Sequence, residues 1–517
     1  MNYYKYWHQL KFQVLRDIKG LPLYTGIHWS AFFRIQFRQY TALSMPELEF
    51  CVIPLANRID INPGDFLTVN IATNEQGEDI FKKWVLNKEK SVEIEAEKCH
   101  FIIDKTIRLV DYSSFEFKPE LHKQIIADEV TRLTLIFATP LRLKRTVKTD
   151  GRFFDPFHFD FKEFIERLSR LQDVPVPDIE GISLSDKSFF WLDIAYKKTI
   201  GGIIGGITIK GKFSQEILQL LHFGQFCGLG KNRCLGFGFY YIEEYPHPFL
   251  TNVDGKNGLF SFSSLMTKLQ EMTDNNEPGS DMTAKDLLEH PEYLRQMSAQ
   301  IYQMSYRPGL PENSKTKNGG FITTAYLQKD KLILALLTDH IAKLFAQLIS
   351  SNCYSYHKGY SYHQAQAKLK KELDKGFSWG IKQSIDSFLD SVSHAKLLLI
   401  LKSLSVEPVI IYLIDIYYKI DYLQDNTLSP LLSNLAMLAF DRWFRNQKQL
   451  KLIRSADDMV IIGRDIEKQI VMEKISFMLQ QLGLKLNNDK TQEFSQTSSL
   501  NFLEYTISKT EIIDHSE

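Results

Sequence analysis

The sequence predicts an α+β protein of more than one domain, on three observations. Short β-type runs punctuated by Gly and Pro fill the chain up to about residue 248, and amphipathic helical patterns lie among them. Beyond a polar stretch the pattern changes to long helices followed by apolar strands. With 517 residues there is chain enough for two or three separately buried cores, and 44% hydrophobic against 24% charged residues is an ordinary globular balance.

Taken in order, Ile27 to Arg38 spaces Trp29, Phe32 and Phe33 as one aromatic helical face. Leu133-Thr134-Leu135-Ile136-Phe137 and Ile203 to Lys210 read as strands, and Phe161 to Leu171 as a helix between them. From Thr251 to Ser280 the chain turns polar, with Asp274 to Ser280 as its clearest loop, so the first domain is expected over 1–248, a linker over 249–285 and a second domain over 286–517. Lys331 to Ser350 and Gln364 to Lys375 read as amphipathic helices, and apolar strands flank Asp457.

Lys plus Arg equals Asp plus Glu at 62 each, so any nucleic-acid surface must be local. Between Arg307 and Lys382 twelve Lys or Arg face five Asp or Glu, which is one such local excess. The five cysteines are scattered and form no CxxC pair, which fits a reducing compartment. Met1 to Asp17 lacks the apolar core of a signal peptide, and Leu397 to Tyr418, the most apolar stretch, is broken by Lys402, Glu407, Pro408 and Asp415. A cytoplasmic protein with no membrane partner is expected.

Two motifs carry chemistry. In the run Gly228 to Gly238, two Gly-apolar-Gly pairs (Gly228, Gly230 and Gly236, Gly238) flank Lys231-Asn232-Arg233. Glycines allow positive φ and a close approach of backbone N–H to an anion, while the tip supplies charge and donors, so these residues are RNA-binding candidates. With Phe239-Tyr240-Tyr241-Ile242 behind it, the run resembles the C-terminal glycine-rich loop of the CRISPR-associated repeat endoribonucleases, the Cas6 family of RAMP proteins. Leu21 to Gly26 before a helix, Leu135 to Leu141, and Gly201-Gly202 to Gly206 agree with it in order, over roughly residues 10–245.

That resemblance implies tandem ferredoxin-like domains, repeat RNA as partner, and metal-independent cleavage in which the ribose 2′-OH attacks the adjacent phosphate. Such chemistry needs a base, an acid and phosphate-facing cations, and imidazole suits the first role. His28 is the candidate base, with Tyr24, Lys231 and Arg233 in support and His222 as the alternative imidazole. A histidine beside Trp29, Phe32 and Phe33 also reads as a core-edge residue, and His100, His122 and His158 have no context that lifts them above that.

The second motif is Ala456-Asp457-Asp458 between Leu452-Ile453 and Met459 to Ile462, a hairpin tip with two adjacent carboxylates that would suit Mg²⁺. Together with Gln424 and Leu428 to Asn434 upstream, Leu482 to Thr491 downstream, Phe502 to Tyr505, and Tyr354 to Ser361, it resembles reverse transcriptases of the group II intron type over roughly 290–510. The resemblance implies a fingers–palm domain, metal ligands at Asp457 and Asp458, and nucleotide binding at Gln424. A Cas6-like domain in front of it is similar to CRISPR reverse transcriptases that take spacers from RNA beside a Cas1-type integrase and other adaptation proteins.

The pattern also departs from that family. Lys382 to Asp390 puts Ser384 where the first catalytic Asp belongs, and Asp386 restores it only if the strand continues. Leu389 stands at the aromatic position, Asp425-Asn426-Thr427 replace Gly-x-Pro, Ser455 replaces Tyr or Phe, and Glu504 replaces Gly. The chain ends soon after, so no full thumb or integrase is expected. The leading expectation is repeat-RNA binding and cleavage by the first half, without metal, and a polymerase-like second half that does not synthesise DNA. An active RNA-directed DNA polymerase with Mg²⁺ is the alternative, and a non-catalytic RNA-binding subunit or truncated fusion product is the third reading.

Overall fold

The computed structural model describes residues 4–16, 22–41, 50–54, 63–86, 107–118, 130–146, 153–195, 199–245, 258–274, 284–309, 312–315, 322–325, 327–355, 361–386, 388–404, 407–420, 428–495, 498–503, 505–507 and 512–514. Cys99, His100, His122, Tyr356 to Tyr360, Gln424 to Thr427 and Glu504 lie outside the described residues. The chain divides into one unit of Met1–Val253 with Leu399–Glu407 and a second of Asp254–Leu398 with Pro408–Glu517.

In the first unit one βαββαβ pattern occurs twice. The first copy runs β1 (Tyr6–Val14), α1 (Gly26–Phe37), β2 (Phe50–Pro54), β3 (Phe66–Thr73), α2 (Glu75–Leu86) and β4 (Ile107–Glu116). Its antiparallel sheet has the order β2-β3-β1-β4. Alternation along β1 buries Leu10, Phe12 and Val14 on one face, where they meet Trp29, Phe33 and Phe37 of α1 and Phe81 and Trp84 of α2.

The second copy runs β5 (Arg132–Leu141), α3 (Phe161–Gln172), β6 (Ser183–Ile194), β7 (Ile200–Lys210), α4 (Gln215–Gly224) and β8 (Tyr241–Ile242). Its sheet order, β6-β7-β5-β8, repeats the first. Asp160 and Ser214 cap α3 and α4 by accepting from Glu163 N and Ile217 N. A shared cluster that includes Trp7, Phe117, Phe223, Phe226 and Phe239 joins the copies. The tandem ferredoxin-like arrangement is therefore present.

In the second unit, α5 (Phe262–Asp274), α6 (Ala284–Glu289) and α7 (Pro291–Tyr302) precede a hairpin of β9 (Glu312–Lys315) and β10 (Ile322–Ala325). The long helices α8 (Gln328–Leu348) and α9 (Tyr362–Asp374) follow, close to their expected bounds. β11 (Trp379–Ile385), β12 (Leu450–Ser455), β13 (Asp458–Gly463) and β14 (Leu486–Phe494) form an antiparallel sheet ordered β12-β13-β11-β14. α5 lies inside the stretch expected as linker. Leu265 and Leu269, one turn apart, are fully buried, and two apolar residues suffice to fix a helix that the polar composition hides.

The apolar stretch Leu397 to Tyr418 falls on two helices, His394–Ser403 and Pro408–Lys419. Among the described residues no helix is long and apolar enough to cross a membrane.

Candidate functional site

The glycine run is a loop held in one conformation by backbone contacts. All four of its glycines have positive φ: 62° at Gly228, 89° at Gly230, 79° at Gly236 and 81° at Gly238. A Cβ at Gly236 would lie 2.2 Å from the Val52 carbonyl oxygen, and one at Gly238 would lie 1.9 Å from that of Leu229. These two positions are closed to any side chain. Asn232, at φ 67°, opens the short 3-10 turn Arg233–Leu235.

The end of β5 frames the loop. Gly238 N donates to Pro140 O at 2.9 Å, Lys231 N to Arg142 O at 3.0 Å, and Phe239 N to the Thr139 hydroxyl at 2.8 Å. The register of β5 against β7 shifts between Phe137 and Leu141, which frees these groups from the ladder. Leu135 to Leu141 and the glycine run, about a hundred residues apart, thus form one device. Thr139 and Arg142 were missed as members of it, although the Ala138-Thr139-Pro140 break in an apolar run was the signal.

The loop also rests on α1. Tyr24 Oη donates to Leu235 O at 2.6 Å, and Ser30 Oγ donates to Cys234 O at 3.1 Å. Arg34 Nε reaches Ser30 Oγ at 3.4 Å. The helix that bears His28 and the loop that bears Lys231 and Arg233 are therefore fastened together across some two hundred residues. His28 is half-buried, and burial lowers its imidazole pKa below the ordinary value. Lys231 and Cys234 are exposed, Asn232 and Arg233 are half-buried, and the Arg233 guanidinium lies over the Tyr4 ring at 5.5 Å.

Two expected roles change on this geometry. Tyr24 is 4% exposed, burial raises its phenol pKa well above the usual value, and its proton is committed to Leu235 O. It positions the loop and is poorly placed to donate a proton to RNA. His222 is buried against Phe226 and Tyr245, and Gln225 Nε2 donates to its Nδ1 at 3.2 Å. It belongs to the core beneath β8. His158 pairs with Asp155 at 2.8 Å.

Tyr24→Phe strands the Leu235 carbonyl and is expected to cost about 1–3 kcal/mol of first-unit stability. It should lower RNA cleavage without moving the pH profile, because no titrating group is lost. Thermal unfolding and a pH–rate series would check both parts.

In the second unit β12 and β13 form the expected hairpin, with Ala456 at φ 53° in its turn. Ser384, the last but one residue of β11, pairs with Asp458, and its hydroxyl donates to Asp457 Oδ2 at 2.9 Å. Burial pushes the half-buried Asp458 carboxyl up and Asp457 adds to this, while Lys382, Ser384 and Lys490 pull the other way. β11 ends at Ile385, and Asp386 is an exposed turn residue whose N–H donates to Lys485 O.

The facing donor set is two carboxylates and one neutral hydroxyl that already occupies a carboxylate oxygen. A two-metal site asks for a further carboxylate, so the residues fit a Mg²⁺ pair incompletely. Among the described residues no group of three or more His, Cys, Asp or Glu could hold a metal ion.

A buried network missed in the sequence supports the turn. Arg454, fully buried, reaches Asp441 with Nε at 2.9 Å and Nη2 at 2.6 Å. Its Nη1 donates to Asn434 Oδ1 and to Ala456 O, both at 2.7 Å, and Ala456 N donates to the Ser355 hydroxyl at 2.8 Å. Burial works against the guanidinium charge, but Asp441 more than offsets it and the pKa rises above its ordinary value.

Comparison with known proteins agrees with this arrangement. Residues 135–240 match the family model of the CRISPR-associated endoribonuclease Cas6, and residues 320–507 match that of the reverse transcriptase (RNA-dependent DNA polymerase). No curated protein matches the sequence. The fold is similar to a chain of a partial Cas6-RT-Cas1–Cas2 complex, with 15% identity, a TM-score of 0.60 and coverage of 92% of each chain. A second similar chain, from a Cas6-RT-Cas1–Cas2 complex, also has 15% identity and a TM-score of 0.60, and the match covers 92% of this chain but 57% of that one. The chain thus spans little more than half the length of that relative. The chain is a fusion of a Cas6 domain with a reverse transcriptase domain.

Proposed function

We propose that the first unit binds CRISPR repeat RNA and cuts it without metal. The 2′-oxygen would give its proton to the His28 imidazole and bond to the adjacent phosphorus. The bond from phosphorus to the 5′-oxygen would break and that oxygen would take up a proton, leaving a 2′,3′-cyclic phosphate and a 5′-hydroxyl. Lys231, Arg233 and the loop's N–H groups would face the phosphate. The fastening of the glycine loop to the helix of His28 by Tyr24 and Ser30 carries this reading. Incubation with repeat RNA in EDTA tests it: a single cut ending in cyclic phosphate is expected, and RNA that is bound but left whole would replace the nuclease with a binding module.

For the second unit we propose nucleic-acid contact without DNA synthesis, on the hydroxyl of Ser384 in the place of a carboxylate. The intact Asp457-Asp458 hairpin favours the competing polymerase reading, which primer extension abolished by Asp457→Ala would establish. Ser384→Asp should turn the site into a cation site. In EDTA the added charge crowds Asp457 and Asp458 and lowers stability. Saturating Mn²⁺ at a hundred times Kd should then restore about 2.7 kcal/mol, whereas the parent chain should show little shift; parallel thermal melts decide. A Cas1-type integrase and other adaptation proteins are the proposed partners, because the similar chains come from complexes named for them. A cytoplasmic location is proposed with them.

A further inference from the structure

The alternation that builds the first core is interrupted by a polar residue. His8 stands on the face of β1 that continues as Leu10, Phe12 and Val14, and at 2% exposure it occupies a place suited to an apolar side chain. Its ring stacks on Phe81 with 3.7 Å between centroids. Its Nε2 lies 2.6 Å from Glu78 Oε2, and its Nδ1 lies 2.8 Å from Ser114 Oγ. None of these residues belongs to the glycine loop or to the carboxylate turn.

The sheet register makes this contact. His8 and Ser114 are opposed partners of β1 and β4, so their side chains leave the same face. β4 is the edge strand and Ser114 is exposed, so the chain of bonds opens to solvent at its serine end. Behind it Glu78, in the first turn of α2, is buried; Lys82 Nζ lies 3.2 Å from its Oε1, and the Thr73 hydroxyl donates to its Oε2 at 3.4 Å. Burial pushes the Glu78 carboxyl up, but His8 and Lys82 more than offset this and its pKa falls below the ordinary value. An ionised carboxylate only accepts. In the neutral imidazole the proton therefore sits on Nε2, and Nδ1 accepts from the Ser114 hydroxyl.

We propose that Ser114, with His8 as base and Glu78 as the group that orients it, is a nucleophile that takes an acyl group from an ester. A nucleophile within hydrogen-bond reach of a base, itself aimed by a carboxylate, is the arrangement that activates a serine hydroxyl. The two ring nitrogens exchange the roles they have in the serine-protease triad, and either nitrogen can serve as base when the other holds the proton. Ser114 Oγ bonds to the acyl carbon as its proton passes to His8 Nδ1. The bond from that carbon to the ester's alkoxy oxygen breaks, and this oxygen leaves with the proton from Nδ1. Tyr112, two residues along β4 on the same face and exposed, offers a ring to an apolar acyl group.

The full chain would be treated with a fluorophosphonate probe and the labelled peptides mapped, with release of p-nitrophenolate from p-nitrophenyl butyrate followed in parallel. Labelling at Ser114 and a burst of about one equivalent per chain are expected, both lost in Ser114→Ala. Glu78→Gln should slow labelling by roughly 10²-fold or more, because an amide that can also donate no longer holds the proton on Nε2. Ser113, exposed on the same strand but opposed to Gln9, is the internal control. In a second measurement that leaves His8 and Glu78 intact, the thiol of Ser114→Cys should react with iodoacetamide roughly tenfold faster than that of Ser113→Cys, since only the first has an imidazole to take its proton. Labelling of Ser113 as fast as Ser114, an unchanged burst in Ser114→Ala, or equal reactivity of the two thiols would each overturn the proposal.

Discussion

His28→Ala is expected to cut metal-independent cleavage of repeat RNA by roughly 10²–10⁴-fold, the range that a positioned general base contributes. RNA binding should change little, because Lys231, Arg233 and the loop backbone are untouched. The pH dependence adds a sign that a merely structural histidine would not produce. The base must be neutral to accept the 2′-proton, so the rate should rise with pH through the His28 pKa and level off above it. Burial lowers that pKa below the usual 6.5, so the acid limb should fall below pH 6.5. The alanine variant should lose this limb along with the rate. A residual rate that keeps the same acid limb would assign the base elsewhere, and full activity would place His28 in the core edge beside Trp29.

Local periodicity exposed most of the framework around this histidine. The aromatic stripe Trp29, Phe32 and Phe33 predicts α1, and β-branched runs predict β5 and β7, because each signal lies within a dozen residues. The doubled Gly-apolar-Gly spacing predicts the loop, since positive φ at four positions leaves few other residues possible. What covers the loop was not legible. Tyr24 reads from the sequence as a supporting member of the catalytic set, yet its hydroxyl is spent on Leu235 O, 211 residues away. Nothing in a linear sequence reports so long a pairing.

The same limit applies in the second unit. Ser384 could be placed beside Asp457 from motif order alone, and the register Ser384↔Asp458 agrees with that placement. The support beneath the turn is different. Ser355, Asn434, Asp441 and Arg454 come from four segments, and only their packing shows that they share one buried network. α5 was hidden for a third reason, since its two buried leucines sit among residues that read as linker.

Asp441→Ala should be among the most destabilising substitutions in the second unit. It removes the carboxylate that holds Arg454 by two short hydrogen bonds and leaves a fully buried guanidinium with only neutral acceptors at Asn434 and Ala456. Breaking a buried pair from one side costs about 3–5 kcal/mol, because the remaining charge keeps its desolvation penalty. Amide exchange of β12 and β13 should then quicken by roughly 10²–10⁴-fold, at one decade per 1.4 kcal/mol. Replacing both partners with apolar residues, Asp441→Leu with Arg454→Met, should recover most of that loss, as no charge is left stranded. It should not restore the turn, since Arg454 Nη1 also holds the Ala456 carbonyl beside Asp457. Protection should therefore return along the strands and stay low at Ala456 and Asp457, which separates the pair's part in stability from its part in aiming the carboxylates. Exchange at the turn that recovers together with the strands would show that Ser355 alone fixes the turn.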